Sequence, residues 1–235
     1  MGAVAVAQRR PRGRPSEPVL SAERITGAAV RLVASRGHDA LTMAALAREL
    51  GVAPSALYNH VATKQDVLRR VQDHVNREVD CSAFGALPWD EALTAWARSY
   101  RDVYARHVPL VPVIAVTPVR GAPHTLAMYE RVAAGLREGG WPAHLVLDAV
   151  VAVESFVLGS ALDTQAPPDI FDPGGETGGE NESGPGEGSA LAAAVRARGG
   201  GDAALASFEL GLAALVEGLR AALRRARAEI GGAPA

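Results

Sequence analysis

The chain has 235 residues, 48% of them hydrophobic, and a single cysteine, Cys81. That apolar content is enough to bury a core, which excludes an extensively disordered chain, and one cysteine excludes an intrachain disulfide. The net charge is −2, yet residues 1–80 carry 12 Arg or Lys against 8 Asp or Glu, while residues 81–235 carry 12 against 18. A basic front and an acidic rear suit a molecule that docks one end on a polyanion. Ala, Leu and Arg are abundant and period-two alternation is scarce, so the fold class expected is all-α.

Residues 1–18 read as a disordered basic arm. Met1 to Ala7 is apolar but short, and its charges follow rather than precede it, unlike a signal peptide. Arg9, Arg10, Arg12 and Arg14 follow with no acid among them. The run Arg12-Gly13-Arg14-Pro15 fits either an arm that lays arginines into a narrow A·T minor groove or a tail that only attracts phosphates.

Ser21 is a good cap for a helix that carries the stripe Ile25, Ala28, Ala29, Leu32, Val33 and stops at Gly37. Thr42 caps a second helix, with Leu41 and Leu46 as a hydrophobic staple, and Gly51 ends it. Pro54 suits the first turn of a third, very short helix to about His60. Leu57 and Val61 face inward there, leaving Ser55, Ala56, Tyr58, Asn59 and His60 outward. A short helix exposing Tyr, Asn and His fits the DNA major groove. It also fits an ordinary helical hairpin. Lys64, the chain's one lysine, stands just past it, placed for a phosphate. Thr63 and Asp66 make a capping box for a fourth helix, whose stripe is Val67, Leu68, Val71 and Val75 and which reaches about Val79. These elements define a head over 19–79.

After a break at 80–88, the body spans 84–232. Asp90 to His107 is amphipathic. Pro109, Pro112 and Pro118 keep any following helix short. Ala122 to Glu138 is helical and is closed by Gly139-Gly140. A long apolar helix runs from Trp141 and Pro142 to about Gln165. Its centre is long enough to be mistaken for a membrane span, but Asp148 and Glu154 would each cost about 2.5 to 3.5 kcal/mol there. A core or dimer helix is expected instead, with no membrane partner. Residues 166–188, rich in Gly, Pro and Glu, read as a flexible loop. A short helix, Ser189 to Ala197, precedes the last one, Asp202 to Ile230, in which Leu205, Phe208, Leu212, Leu215, Leu219 and Leu223 repeat at helical spacing. Gly211 and Gly218 would permit close helix approach. Two apolar helices flanking the loop predict a homodimer closed by a four-helix bundle, two helices from each subunit, with a charge at Leu212 expected to split it.

No G-x-S-x-G, H-E-x-x-H, phosphate-cradling glycine loop or Cys/His pair occurs, so no enzyme is expected. Cys81 reads as a redox thiol or as a small hydrophobe in a linker.

The run Ser21 to Leu68 resembles the DNA-binding domain of the tetracycline-repressor (TetR) family of transcriptional regulators. Its most specific part is the string Leu57-Tyr58-x-His60-Val61-x-x-Lys64. More weakly, YRDVYARH (100–107), SFVLGSALD (155–163) and FELGLAALVEGL (208–219) are similar to that family's tetracycline-repressor-like C-terminal domain. The resemblance implies a three-helix helix-turn-helix head and a helical ligand-binding and dimerisation body. It implies a cytoplasmic, nucleoid-associated repressor that holds a palindromic operator as a homodimer and is released by a small-molecule effector. An activator of the same family or a less specific DNA-binding protein would share these features. Carried over, DNA contact falls to Thr42, Ser55, Ala56, Tyr58, Asn59, His60 and Lys64, with Arg12 and Arg14 in the arm. Ala44 and Pro54 stand where the family's namesake reads bases with Arg and Gln, so a different operator is implied. His107 and Asp163 stand at the places of a metal-chelating drug site, which would take Mg²⁺. His107 also suits an ordinary helix end and Asp163 a solvated place near the loop, and no resident metal or cofactor is expected. An apolar pocket lined by Trp96, Tyr100, Tyr104, His107, Val113, Met128, Phe156 and Leu158 is the ligand site expected.

Overall fold

The structure, a computed structural model, describes residues 20–167, 169–171, 190–198 and 201–231. The predicted arm 1–18, with Arg12 and Arg14, and most of the predicted loop 166–188 lie outside these residues. Among those described, the secondary structure is helical apart from one isolated bridge between Phe84 and Leu87.

The head begins where Ser21 Oγ accepts the Arg24 amide at 3.2 Å and starts α1, Ala22–Arg36. Ile25, Ala28, Ala29, Leu32 and Val33 are buried along its inner face. Thr42 Oγ1 accepts the Ala45 amide at 3.0 Å and starts α2, Met43–Leu50. Gly51 ends α2 at φ 70°, in the left-handed region a side chain disfavours, and the Val52 amide folds back onto Ala47 O at 3.0 Å. Pro54 opens α3, Pro54–Tyr58. This helix stops two residues before the expected end at His60, where the His60 amide bonds Leu57 O, three residues back, out of the α-helical pattern. Thr63 and Asp66 close a reciprocal capping box at the start of α4, Lys64–Asn76. That helix ends three residues short of Val79, which is reached by a further turn.

In the body, α5, Trp89–Ala105, packs along α8, Ala143–Asp163. Pro109 and Pro112 do break the chain up, into a 3-10 turn at Val108–Leu110 and a one-turn α6, Val111–Ile114. The α7 helix, Pro123–Glu138, lies against both α4 and α8. After α9, Ala190–Ala197, the last helix is α10, Ala203–Gly231. Asp90 pairs with Arg220 and Arg98 with Glu209, so α10 runs antiparallel to α5. Solvent-facing pairs of this kind contribute about 0–1 kcal/mol each. Burial of Phe208, Leu212, Val216 and Leu223 is therefore what holds α10 down.

Two expectations about α10 change with the fold. Gly211 does permit close approach, but to α8 of the same chain: a Cβ there would sit 2.6 Å from the Phe156 ring, which stacks on Phe208 at a centroid distance of 5.5 Å. Gly218 faces open space. Gly211→Ala is expected to push Phe156 off Phe208 and destabilise the body by about 1–3 kcal/mol, read as a lowered thermal midpoint. Gly218→Ala at the same level should leave the isolated subunit's midpoint unchanged or slightly raised.

By length and composition α8 is the one helix among the described residues apolar enough to cross a membrane. Its inner face, from Val146 through Val153 and Val157 to Ala161, is buried against α5, α7 and α10. Leu147, Val151 and Leu162 on its other face are exposed.

Candidate nucleic-acid interface

The outward surface of α3 is held in place from behind. Leu57 and Val61 are buried in the head core, while Arg70 Nη2 on α4 donates to His60 O at 3.1 Å. Ser55, Tyr58, Asn59 and His60 are exposed, Ala56 is half-buried, and Tyr58 leaves 53% of its surface open. A tyrosine so exposed beside a rigid backbone turn is available for a ligand rather than for the core. Thr42 is exposed at the start of α2 and Lys64 at the start of α4. The Thr42 hydroxyl accepts a helix amide, so its own proton is available to an external acceptor such as a phosphate oxygen. The structure thus places the seven predicted residues on α3, its following turn and the two helix starts beside it.

The eight predicted ligand residues fall in the body. Trp96, Tyr100, Tyr104, Met128 and Leu158 are buried, and His107, Val113 and Phe156 are half-buried. Trp96, Tyr100 and Tyr104 form a file along α5 with ring centroids 5.3 and 4.9 Å apart. Their surroundings carry more polar chemistry than the expected apolar pocket. Tyr100 donates to Glu154 Oε1 at 2.8 Å, Tyr129 donates to the same oxygen, and Tyr104 donates to Asn76 Oδ1 at 2.6 Å. Burial pushes the Tyr100, Tyr104 and Tyr129 hydroxyls well above the usual phenol range, and Glu154 adds to the rise at each, so they stay protonated donors. Trp96 Nε1 is buried without a hydrogen-bond partner among the described residues. Glu154 and Tyr129 are not among the predicted ligand residues. A glutamate at the centre of an otherwise apolar helix is the signal that points to them.

A cavity of about 700 Å³ lies elsewhere, between the end of α8 and the start of α10, lined by Asp163, Ile170, Phe171, Val195, Arg198 and Asp202 among others. None of the eight predicted ligand residues lines it.

His107 and Asp163 stand in different surroundings. His107 Nε2 lies 3.9 Å from Glu78, whose other carboxylate oxygen pairs with Arg106. Burial lowers the His107 pKa. Glu78 opposes that fall, Arg106 and His74 add to it, and the ring is neutral near pH 7. Asp163 is exposed at the end of α8. One imidazole and one exposed carboxylate are a poor start on the oxygen-rich set that Mg²⁺ prefers, and among the described residues no three His, Cys, Asp or Glu side chains gather to hold a metal. The residues therefore do not fit a metal within one protomer.

Two family models match the chain. One, described as bacterial regulatory proteins of the tetR family, covers residues 25–71, and the other, described as the tetracyclin repressor-like C-terminal domain, covers residues 85–223. The chain belongs to the TetR family. Among similar proteins, the HTH-type transcriptional repressor DrrR1 of Streptomyces coeruleorubidus is 32% identical over 154 residues, 65% of this chain. The chain spans 56% of DrrR1's own length. The class A tetracycline repressor of transposon 1721 from Escherichia coli is 33% identical over 199 residues, covering 82% of this chain and 87% of that protein. Among solved structures, a possible TetR-family regulator from Streptomyces coelicolor A3(2) superposes with a TM-score of 0.69 at 31% identity, over 86% of this chain and 100% of that one. The S. coelicolor TetR-family protein ActR, in complex with actinorhodin, gives a TM-score of 0.68 at 26% identity, over 88% and 97%. BioQ with its double-stranded DNA operator gives 0.55 at 29% identity, over 65% and 92%. Both halves of the TetR architecture, helix-turn-helix head and helical body, are thus present in one chain.

Proposed function

We propose that this TetR-family chain is a ligand-responsive transcriptional regulator and not an enzyme: a homodimer that holds a palindromic operator and is released by a small-molecule effector. The observation that carries the reading is α3, five residues long, pinned by buried Leu57 and presenting Ser55, Tyr58, Asn59 and His60 to solvent. BioQ, solved with its double-stranded DNA operator, and the TetR-family protein ActR, solved in complex with actinorhodin, support the two partners. Regulation then follows from linkage: the effector must bind the DNA-incompetent form better, and DNA must weaken effector binding by the same factor. The protein acts in the cytoplasm, where the DNA is, and associates with the nucleoid.

Dimerisation falls to the outer faces of α8 and α10. Leu147, Val151 and Leu162 on α8 and Leu205 and Leu210 on α10 are exposed apolar side chains, with Gly159 and Gly218 leaving open space on the same two helices. Pairing two copies would close them into the four-helix bundle. The operator half-sites should then lie about one DNA turn apart, roughly 34 to 36 Å. The effector enters the body near Tyr100, Tyr104, Tyr129 and Glu154, an aromatic interior with a hydrogen-bonding centre.

Selection from a random duplex library tests the DNA reading. It should return one palindrome with that half-site spacing, and a pool with no shared sequence would refute it. Arg12 and Arg14 act as an affinity arm. Deleting residues 1–15 should lower affinity and flatten its salt dependence, by nearly one unit of log–log slope for each phosphate that the arm neutralises. A slope that does not change would mean the arm leaves the DNA alone.

A further inference from the structure

From Gly51 to Thr63 the chain has no Asp, Glu, Lys or Arg. This run holds α3 and the turns on either side of it, the surface that meets DNA in the function proposed above. Attraction to the phosphates therefore has to come from outside it. What the run offers instead is shape and hydrogen bonding. Ala53, Pro54 and Ser55 are exposed and Ala56 is half-buried. None of these side chains is long enough to hold the backbone away from the floor of a groove.

Asn59 stands at the middle of this surface. Its backbone, at φ −69° and ψ −15°, carries the helical path of α3 on by one residue. At 3.6 residues per turn, Asn59 lies about 200° round the axis from Leu57, and Ser55 about 160°. Leu57 is fully buried, so Asn59 and Ser55 share the stripe that points away from the head core. Asn59 is exposed, and neither its amide oxygen, an acceptor, nor its amide nitrogen, a donor, is taken by another described residue. It is also the one amide side chain between His38 and Lys64.

In the major groove each base presents its own pattern, and different side chains match it. The two acceptors of guanine are matched by Arg or Lys, and the amino group of cytosine by Asp or Glu. The run has none of these four. Adenine presents an acceptor, N7, beside a donor, N6, and an amide meets both at once. Thymine presents a methyl group, which small apolar side chains meet.

We propose that Asn59 reads an adenine in each operator half-site, and that Ala53, Pro54 and Ala56 pack on thymine methyls beside it, so that the base pairs under α3 are A·T. Thr42 and Lys64, at the edges, set register through the DNA backbone. The assignment rests on the operator reading above and adds to it the base that one residue selects.

The test is a random-library selection with the full-length wild type, Asn59→Ala and Asn59→Arg. Asn59 is exposed, so the three should melt at the same temperature. The wild type should select a palindrome with adenine at one fixed position of each half-site. Asn59→Ala should select the same palindrome with that position no longer fixed, and Asn59→Arg should select guanine there. Changing that A·T pair to G·C in one half-site should weaken the wild type by about 5- to 150-fold and leave Asn59→Ala unaffected. Replacing the neighbouring thymines by uracil, which removes only the methyl group, should weaken both proteins about fourfold for each methyl lost.

A palindrome in which Asn59→Ala still fixes every position overturns the adenine assignment. A position that Asn59→Ala frees but that holds a G·C pair in the wild-type selection overturns it as well. Uracil without effect overturns the apolar contacts. A wild-type pool with no shared sequence removes the operator reading itself, and the assignment falls with it.

Discussion

Leu212→Glu is expected to destabilise the body itself, and Leu210→Glu, two residues away, to leave the body intact while splitting the dimer. Leu212 is 1% exposed, within the α10 face that packs on the chain's own body. A carboxylate there loses its hydration and meets no partner, which costs about 4 kcal/mol or more. In a protein of this size that lowers the thermal midpoint by roughly 10 °C. Leu210 is 76% exposed and points away from the body. A charge there costs the isolated subunit almost nothing but places two like charges near the two-fold axis of the proposed bundle. Sedimentation should therefore show a folded monomer for Leu210→Glu, and circular dichroism should show the helical signal of Leu212→Glu melting roughly 10 °C lower. A dimer that survives Leu210→Glu together with Leu147→Glu would move the interface off these faces. The expectation from sequence, that Leu212 itself lies between subunits, is corrected by its burial within one chain.

Tyr58→Ala should weaken DNA binding by about 1–3 kcal/mol, roughly 5- to 150-fold, without lowering the thermal midpoint. The two effects separate because Tyr58 lies on the open side of α3, and substitutions at such positions change stability by about 0.5 kcal/mol or less. His60→Ala should behave in the same way. Leu57→Ala, one residue before Tyr58, should do the opposite first: it is fully buried, and its truncation costs about 2–5 kcal/mol of stability. Paired titrations and melts on these variants distinguish a contact residue from a supporting one. Equal affinity of Tyr58→Ala and wild type would remove α3 from the interface.

The head is legible in the sequence because its signals are local. Thr42, Thr63 with Asp66, Gly51 and Pro54 each act within a turn of their own position, and each does in the structure what its type predicts. The helix ends are less legible. The α3 helix closes early where the His60 amide takes Leu57 O, three residues back, and near the predicted end of α4 the Asp80 amide goes to Ser99 Oγ, 19 residues on. The faces of α8 and α10 cannot be assigned from sequence: α8 is apolar nearly all round, and α10 carries leucines on more than one face, so periodicity alone does not say which leucine meets its own body. The polar interior is hidden for a different reason. Asp73 finds its partners 51 and 52 residues away, and Tyr100 finds Glu154 at a separation of 54, so no window along the chain joins them.

The most direct measurement is a titration of the purified protein on the DNA just upstream of its own gene, against scrambled DNA of equal length and at one salt concentration. The account predicts one dimer per palindrome and a preference of ~10³-fold or more. Equal, salt-sensitive affinity for both DNAs, together with a random-library selection that returns no common sequence, would contradict it.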